Sequence, residues 1–193
     1  MGRLFSETDI RSSTFLELGA GPGLPSLYLA LRGARATVTD KEKLGVSLFE
    51  SSARLNGLST WRAQVLDWQD AQTTEAVKQL GLKPPYNYVI AAMGSKPESP
   101  WQKWFMCTAW ASMNETSKLI IVTQSAIVGE RLGERAATPE HVSRLRNKFL
   151  ECFWEHREVT SAIALNFTPL DVADAYLWVL RRKNWCACPG SSE

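Results

Sequence analysis

The chain has no surplus of charge. Lys and Arg number 22 against 20 Asp and Glu, leaving a net charge of +2, so composition neither requires nor rules out nucleic acid as a partner. Long apolar runs are missing too. Stretches such as Leu119 to Val122 fall far short of the roughly 18 residues that cross a bilayer, and no membrane span is expected. An apolar signal-peptide core is also lacking, and Glu7 and Asp9 are out of place in an acid-poor transit peptide. The expected location is the cytoplasm, with an organelle such as the mitochondrion left open. Cysteine is sparse: Cys107, Cys152, Cys186 and Cys188 show no CxxC spacing and are too few for a disulfide scaffold. No metal is expected from them, and a reducing compartment is the simplest reading. Cys186-Ala187-Cys188 could bind a metal or pair oxidatively, but its place beside the tail reads as a frayed segment with incidental cysteines. There is no internal repeat and no low-complexity tract.

What the chain does have is an alternation of short β-branched runs with stretches of helical periodicity. At 193 residues and 45% hydrophobic, it suffices for one sizeable core. The expectation is a single domain over 1–193, with a short N-terminal extension (1–13) and a tail (184–193). Strands are expected at Thr14 to Gly19, Ala36 to Asp40, Arg62 to Trp68, Tyr88 to Met93 and Lys118 to Gln124. Between them, Leu24 to Arg32, Lys43 to Asn56, Ala71 to Leu80 and Trp101 to Met113 read as crossover helices. A Gly- and charge-rich loop from Val128 to Thr138 precedes a helix that Pro139 opens and that runs to about Trp154. Two further strands, Glu158 to Leu165 and Asp174 to Arg181, are joined by Asn166 to Val172. With no long helix between them, these two read as an antiparallel pair at the sheet edge. The expected fold class is α/β: a Rossmann-like seven-stranded sheet, mostly parallel with an antiparallel last strand, and helices on both faces.

The most informative segment is Phe15-Leu16-Glu17-Leu18-Gly19-Ala20-Gly21-Pro22-Gly23-Leu24, a strand that runs into a glycine-rich turn and then a helix. Glycines at 19, 21 and 23 let the backbone turn sharply and approach a ligand closely. A dinucleotide fingerprint would want its third glycine at position 24, where Leu24 stands. Glu17 would repel a pyrophosphate but can pair with the ammonium of a methionine moiety. Both features shift the reading toward S-adenosylmethionine. Asp40 ends the second strand 21 residues after Gly19, where an acid can accept from both ribose hydroxyls, and a helix-capping role is compatible with that. Asp67 can accept from the adenine amino group and Trp68 can cover the ring, although a core Trp beside a loop acid would look the same.

At these residues, with Val38-Thr39-Asp40, the chain resembles the class I methyltransferases. It looks closest to the protein-lysine methyltransferase-like branch called methyltransferase family 16. The resemblance covers residues 14 to 125 well, and the remainder by architecture only. It implies a cofactor cleft at the carboxyl ends of the first four strands. The implied contacts are Glu17, Gly19, Ala20, Gly21, Gly23, Asp40, Lys41, Asp67 and Trp68, with Ala91 or Ala92 lining the other side.

Two departures bear on the acceptor. Where the lysine-modifying branch usually carries an Asp-x-x-Tyr element, this chain reads Ala91-Ala92-Met93-Gly94-Ser95-Lys96, and the Asn-Pro-Pro-Tyr type motif is missing as well. About 13 residues precede the first strand, so an open cleft, or one completed by a partner, is expected. No catalytic residue is assigned. His141 and His156 are the side chains that could take a proton near neutral pH, but both read as surface histidines. Arg131, Arg135, Arg144, Arg146, Lys148 and Arg181-Arg182-Lys183 could face phosphate, although interspersed acids favour a solvated surface. Trp101, Trp104 and Trp110 read as one packed helix face. The function these features point to is methyl transfer from S-adenosylmethionine to a macromolecule, protein in preference to RNA. The alternative is a degenerate methyltransferase fold that serves as a subunit of a larger (ribonucleo)protein complex.

Overall fold

The computed structural model describes residues 7–93, 100–124, 139–160, 175–186 and 188. Helix α1 (Glu7–Ser12) leads into β1 (Thr14–Leu18), α2 (Leu24–Leu31), β2 (Arg35–Asp40), α3 (Lys43–Leu55) and β3 (Trp61–Val65). A single 3-10 turn (Trp68–Asp70) and α4 (Thr74–Gln79) then precede β4 (Tyr88–Met93), α5 (Pro100–Ala111) and β5 (Lys118–Gln124). The chain closes with α6 (Pro139–Cys152), β6 (Phe153–Thr160) and β7 (Ala175–Arg182). The seven strands form one sheet in the order β3-β2-β1-β4-β5-β7-β6. All pairings are parallel except those of β7, which runs antiparallel to both β5 and β6.

Alternation along the strands divides the core between two faces. Leu16, Leu18, Val89, Ala91, Leu119, Ile121, Trp178 and Leu180 pack with α5 and α6 residues such as Phe105 and Phe149. Phe15, Ile90, Ile120, Leu177 and Val179 point the other way, with Ile10 of α1 and Leu29 of α2. A parallel sheet covered on both faces needs strands that are apolar nearly throughout. Glu17, inside β1 and 2% exposed, stands out against that rule. Helix α5 is buried from Phe105 to Ala111, and Trp110 on it is buried, as the packed-face reading expects.

The structure departs from expectation in four places. The third strand stops at Val65, and Asp67 caps the turn that carries Trp68 instead of ending a strand. Its carboxylate captures the backbone N–H of Gln69 at 2.9 Å, which stabilises a turn over an extended chain. The sixth strand begins at Phe153, not Glu158, because Phe153 and Trp154 pair with Arg182 and Arg181 of β7. Ladder pairing with a distant strand overrides the local helical pattern there. Arg182 and Lys183 are partly buried, Arg182 lying 3.5 Å over the Trp110 ring and Lys183 4.3 Å over Trp154, while Arg181 is exposed. Arg144 and Lys148 are solvent-facing, while Arg131 and Arg135, the 128–138 loop and the 166–172 connection lie outside the described residues.

The fourth departure is the cysteines. Cys186 and Cys188 are not frayed: they are 1% and 8% exposed, and they pair with Cys152 and Cys107 respectively. The segment before them is docked by the Trp110 indole N–H on the Lys183 carbonyl (3.0 Å) and by the Lys183 N–H on the Cys152 carbonyl (3.0 Å).

Candidate cofactor site

The site is built at the carboxyl end of β1. Gly19, Gly21 and Gly23 take φ angles of 67°, 52° and 67°, in the left-handed region that side chains disfavour. The turn is tied to the next strand by the Ala20 N–H on the Thr39 carbonyl (3.0 Å) and by the Thr39 hydroxyl on the Glu17 carbonyl (2.8 Å). Asp40 completes it: one carboxylate oxygen accepts the Gly21 N–H at 2.7 Å and the other accepts the Glu42 N–H at 2.8 Å. The acid expected to hold a ribose thus also holds the glycine turn. Each of its oxygens has a second lone pair for a hydroxyl.

Glu17 accepts the Ser26 N–H at 3.0 Å, near the start of α2. Burial raises its pKa from 4.5 to about 7, hydrogen bonding from Ser26 offsets part of that rise, and the charge of Asp40 adds to it. A buried carboxyl of this kind favours the arrival of a cation, because an ammonium partner stabilises the form that burial penalises.

Trp68 closes the opposite wall. A Cβ on Gly19 would come within 2.9 Å of its indole, so glycine is needed there for the ring to lie against the turn. The indole stacks edge-on to Phe105 (centroids 5.1 Å apart) and tilts against Trp101 (6.1 Å), while its carbonyl accepts from the Thr108 hydroxyl at 3.2 Å. At Gly21, by contrast, a Cβ would meet nothing within 4 Å, and the turn is open beside Asp40. An adenosyl ligand bearing a cationic amino acid end fits this donor set: a carboxylate for the ribose, a buried carboxyl for the ammonium, and a bare glycine turn between them.

Not every expected residue joins the group. Ala91 is 5% exposed and packs in the core beneath the sheet, so strand alternation leaves Ala92, which is exposed, as the side chain at the cleft. Lys41 is exposed beside Glu42. Asp67 is exposed and occupied as a turn cap. The Gly94-Ser95-Lys96 stretch lies outside the described residues. His141 falls in α6 and His156 in β6.

One residue that sequence reasoning passed over is Gly45. It is buried in the first turns of α3, where a Cβ would lie 2.7 Å from the Gly21 carbonyl oxygen. The signal was a glycine inside an otherwise amphipathic helix, which marks a close backbone approach. Because backbone sits opposite, Gly45→Ala pushes the glycine turn out of register, at a cost of ~1–3 kcal/mol. The expected result is a protein that retains its far-ultraviolet circular dichroism but binds S-adenosylmethionine at least tenfold more weakly in calorimetry. Unchanged affinity would show that the turn does not touch the ligand.

The order of strands and the glycine turn give the chain the fold of the class I S-adenosylmethionine-dependent methyltransferases. Residues 3–92, a little under half of the chain, match the family model described as lysine methyltransferase. Most of the chain superposes on solved structures. A magnesium protoporphyrin IX methyltransferase from Synechocystis with bound S-adenosylhomocysteine is similar at a TM-score of 0.62 and 13% identity, over 94% of this chain and 78% of that one. An rRNA methylase from Streptococcus thermophilus is similar at 0.60 and 11% identity, over 90% and 89%. A structure described for the conversion of a disulfide bond into a thioacetal group during echinomycin biosynthesis reaches 0.67 and 18% identity, over 92% and 78%. No curated protein matches at the level of sequence.

Proposed function

We propose that this chain transfers the methyl group of S-adenosylmethionine to a macromolecular acceptor, a protein lysine side chain in preference to RNA. The observation that carries the proposal is the pairing of Asp40 with the Gly21 N–H, next to a turn face left open by glycine and a buried Glu17. The lysine reading is supported by the family whose model matches residues 3–92.

When bound, the cofactor supplies an electrophilic methyl on a sulfonium that is already a good leaving group. The chain's share is therefore positioning and the exclusion of water. Asp40 would hold the ribose, Glu17 the amino acid ammonium, and Trp68, backed by Phe105 and Thr108, the adenine side. A lysine acceptor must lose its proton before it attacks; Glu17, engaged with the ammonium, is not the group to receive it.

A second reading, a scaffold subunit, is favoured by the exposed leucines at the cleft end of two neighbouring helices: Leu24 of α2 is 66% exposed, and Leu44 and Leu48 of α3 are 72% and 47% exposed. A partner seated there would also complete the open cleft. Calorimetric titration with S-adenosylmethionine separates the two. Micromolar binding, followed by transfer of tritiated methyl to lysate proteins that ribonuclease does not remove, is the expected result. An absence of both heat and thermal shift would leave the scaffold reading in its place.

A further inference from the structure

Three of the chain's four cysteines, Cys152, Cys186 and Cys188, converge, and the fourth, Cys107, is joined to Cys188. Cys107 comes from the middle of α5, Cys152 is the last residue of α6, and Cys186 and Cys188 follow β7. They are 0%, 3%, 1% and 8% exposed. The structure joins them as Cys107–Cys188 and Cys152–Cys186. Yet the sulfurs of Cys186 and Cys188, which belong to different pairs, stand only 3.0 Å apart. Those of Cys152, Cys186 and Cys188 all lie within 4.8 Å of one another.

Two disulfides do not need a common meeting point, since each requires only its own two sulfurs in contact. A tetrahedral thiolate site does need one: with metal–sulfur bonds of about 2.3 Å, the sulfurs stand roughly 3.8 Å apart. Cys152, Cys186 and Cys188, with sulfurs within 4.8 Å of one another, already approach that arrangement, and Cys107 is brought to it by its pairing with Cys188. A chain of 193 residues with apolar cores on both faces of its sheet also has little need of disulfides, which serve small secreted folds.

We propose that Cys107, Cys152, Cys186 and Cys188 form a tetrathiolate zinc site that clasps the segment after β7 onto α5 and α6. Zinc suits it because a closed, buried shell of four sulfurs with no open position is the structural type of zinc site. Four thiols and one Zn²⁺ give a bound dianion and release four protons. Three basic residues, Arg181, Arg182 and Lys183, lead directly into the segment. The two disulfides are the oxidised, metal-free form of the same sulfurs. Conversion to four thiols takes four electrons and four protons, supplied by two equivalents of a dithiol reductant that each become a disulfide.

The clasp also reaches toward the cofactor cleft, because Phe105 and Thr108 beside Cys107 on α5 hold Trp68 in place. The metal proposal itself does not depend on the methyltransferase reading.

The test uses the full chain, expressed with zinc and purified under a phosphine reductant without chelator. Elemental analysis should find one zinc per chain, and a mercurial reagent should release it in step with four thiols. Cys152→Ser and Cys188→Ser should each lower the zinc content well below one equivalent. In case these variants fail to fold, the wild-type chain is stripped by chelator under reductant and titrated with cobalt(II). Thiolate-to-cobalt charge-transfer and tetrahedral d–d bands should saturate at one equivalent and vanish on adding zinc. A zinc-free chain whose denatured mass is four hydrogens low, showing that both disulfides persist under reductant, overturns the proposal. So do four reactive thiols with neither bound zinc nor thiolate–cobalt bands.

Discussion

Asp40→Ala is expected to weaken S-adenosylmethionine binding severely while leaving the seven-stranded sheet folded. The side chain performs two tasks with the same two oxygens, receiving the Gly21 and Glu42 N–H groups at 2.7 and 2.8 Å and offering its remaining lone pairs to the ribose. Charge-assisted hydrogen bonds of this kind contribute ~1.5–3 kcal/mol each, so losing the turn anchor and the ribose acceptor together weakens binding by about 100-fold or more. The fold survives because Asp40 sits at the end of β2, where the strand's backbone pairing with β1 and β3 does not involve its carboxylate. Asp40→Asn, which keeps one accepting oxygen, should fall between the two. Calorimetry for affinity and thermal melts for integrity make the comparison, and full-strength binding by Asp40→Ala would move the ligand elsewhere.

Glu17→Gln is expected to stabilise the protein and weaken its cofactor binding at the same time. In the folded chain the Glu17 carboxyl holds its proton up to about pH 7, whereas its ordinary value is 4.5. The folded state therefore binds a proton that the unfolded chain has already lost. The stability this group contributes is fully present below pH 4.5 and is lost as pH rises through about 7. The interval between 4.5 and about 7 corresponds to an upper figure of ~3 kcal/mol. Gln does not ionise and still accepts the Ser26 N–H, so the variant should melt higher than wild type at pH 8 and show a flatter pH dependence. Its affinity should drop because the ammonium loses a carboxylate partner. For the wild type, affinity should rise with pH through about 7, and binding below that pH should release protons. Calorimetry in buffers of different ionisation enthalpy measures that release. Opposite movement of stability and affinity marks a side chain kept for binding; parallel movement would make Glu17 a structural residue only.

Much of the fold is legible in the sequence, for a local physical reason. Strand β4 and strand β5 fall within the same limits in the sequence reading and in the structure, because short β-branched runs bounded by turn residues have few alternatives. The glycine turn was equally legible, since its spacing reports a backbone requirement that neighbouring residues cannot hide. Errors collected where a distant partner decides the outcome. Phe153 and Trp154 continue the periodicity of α6, and their pairing with β7 made them strand. Ala91 and Ala92 are indistinguishable in sequence, and only their alternation across the sheet places one in the core and the other at the cleft.

The chain's pattern of residues was thus enough to specify the Rossmann-like order of elements, the glycine turn and the two acids at its flanks, because each is encoded within a few consecutive residues. The approach of Gly45 to Gly21, the Trp68 wall against Gly19, and the pairing of the four cysteines belong to the tertiary structure alone. The paired cysteines lie 81 and 34 residues apart, and spacing of that kind carries no record of what the packing of α5, α6 and the segment after β7 brings together.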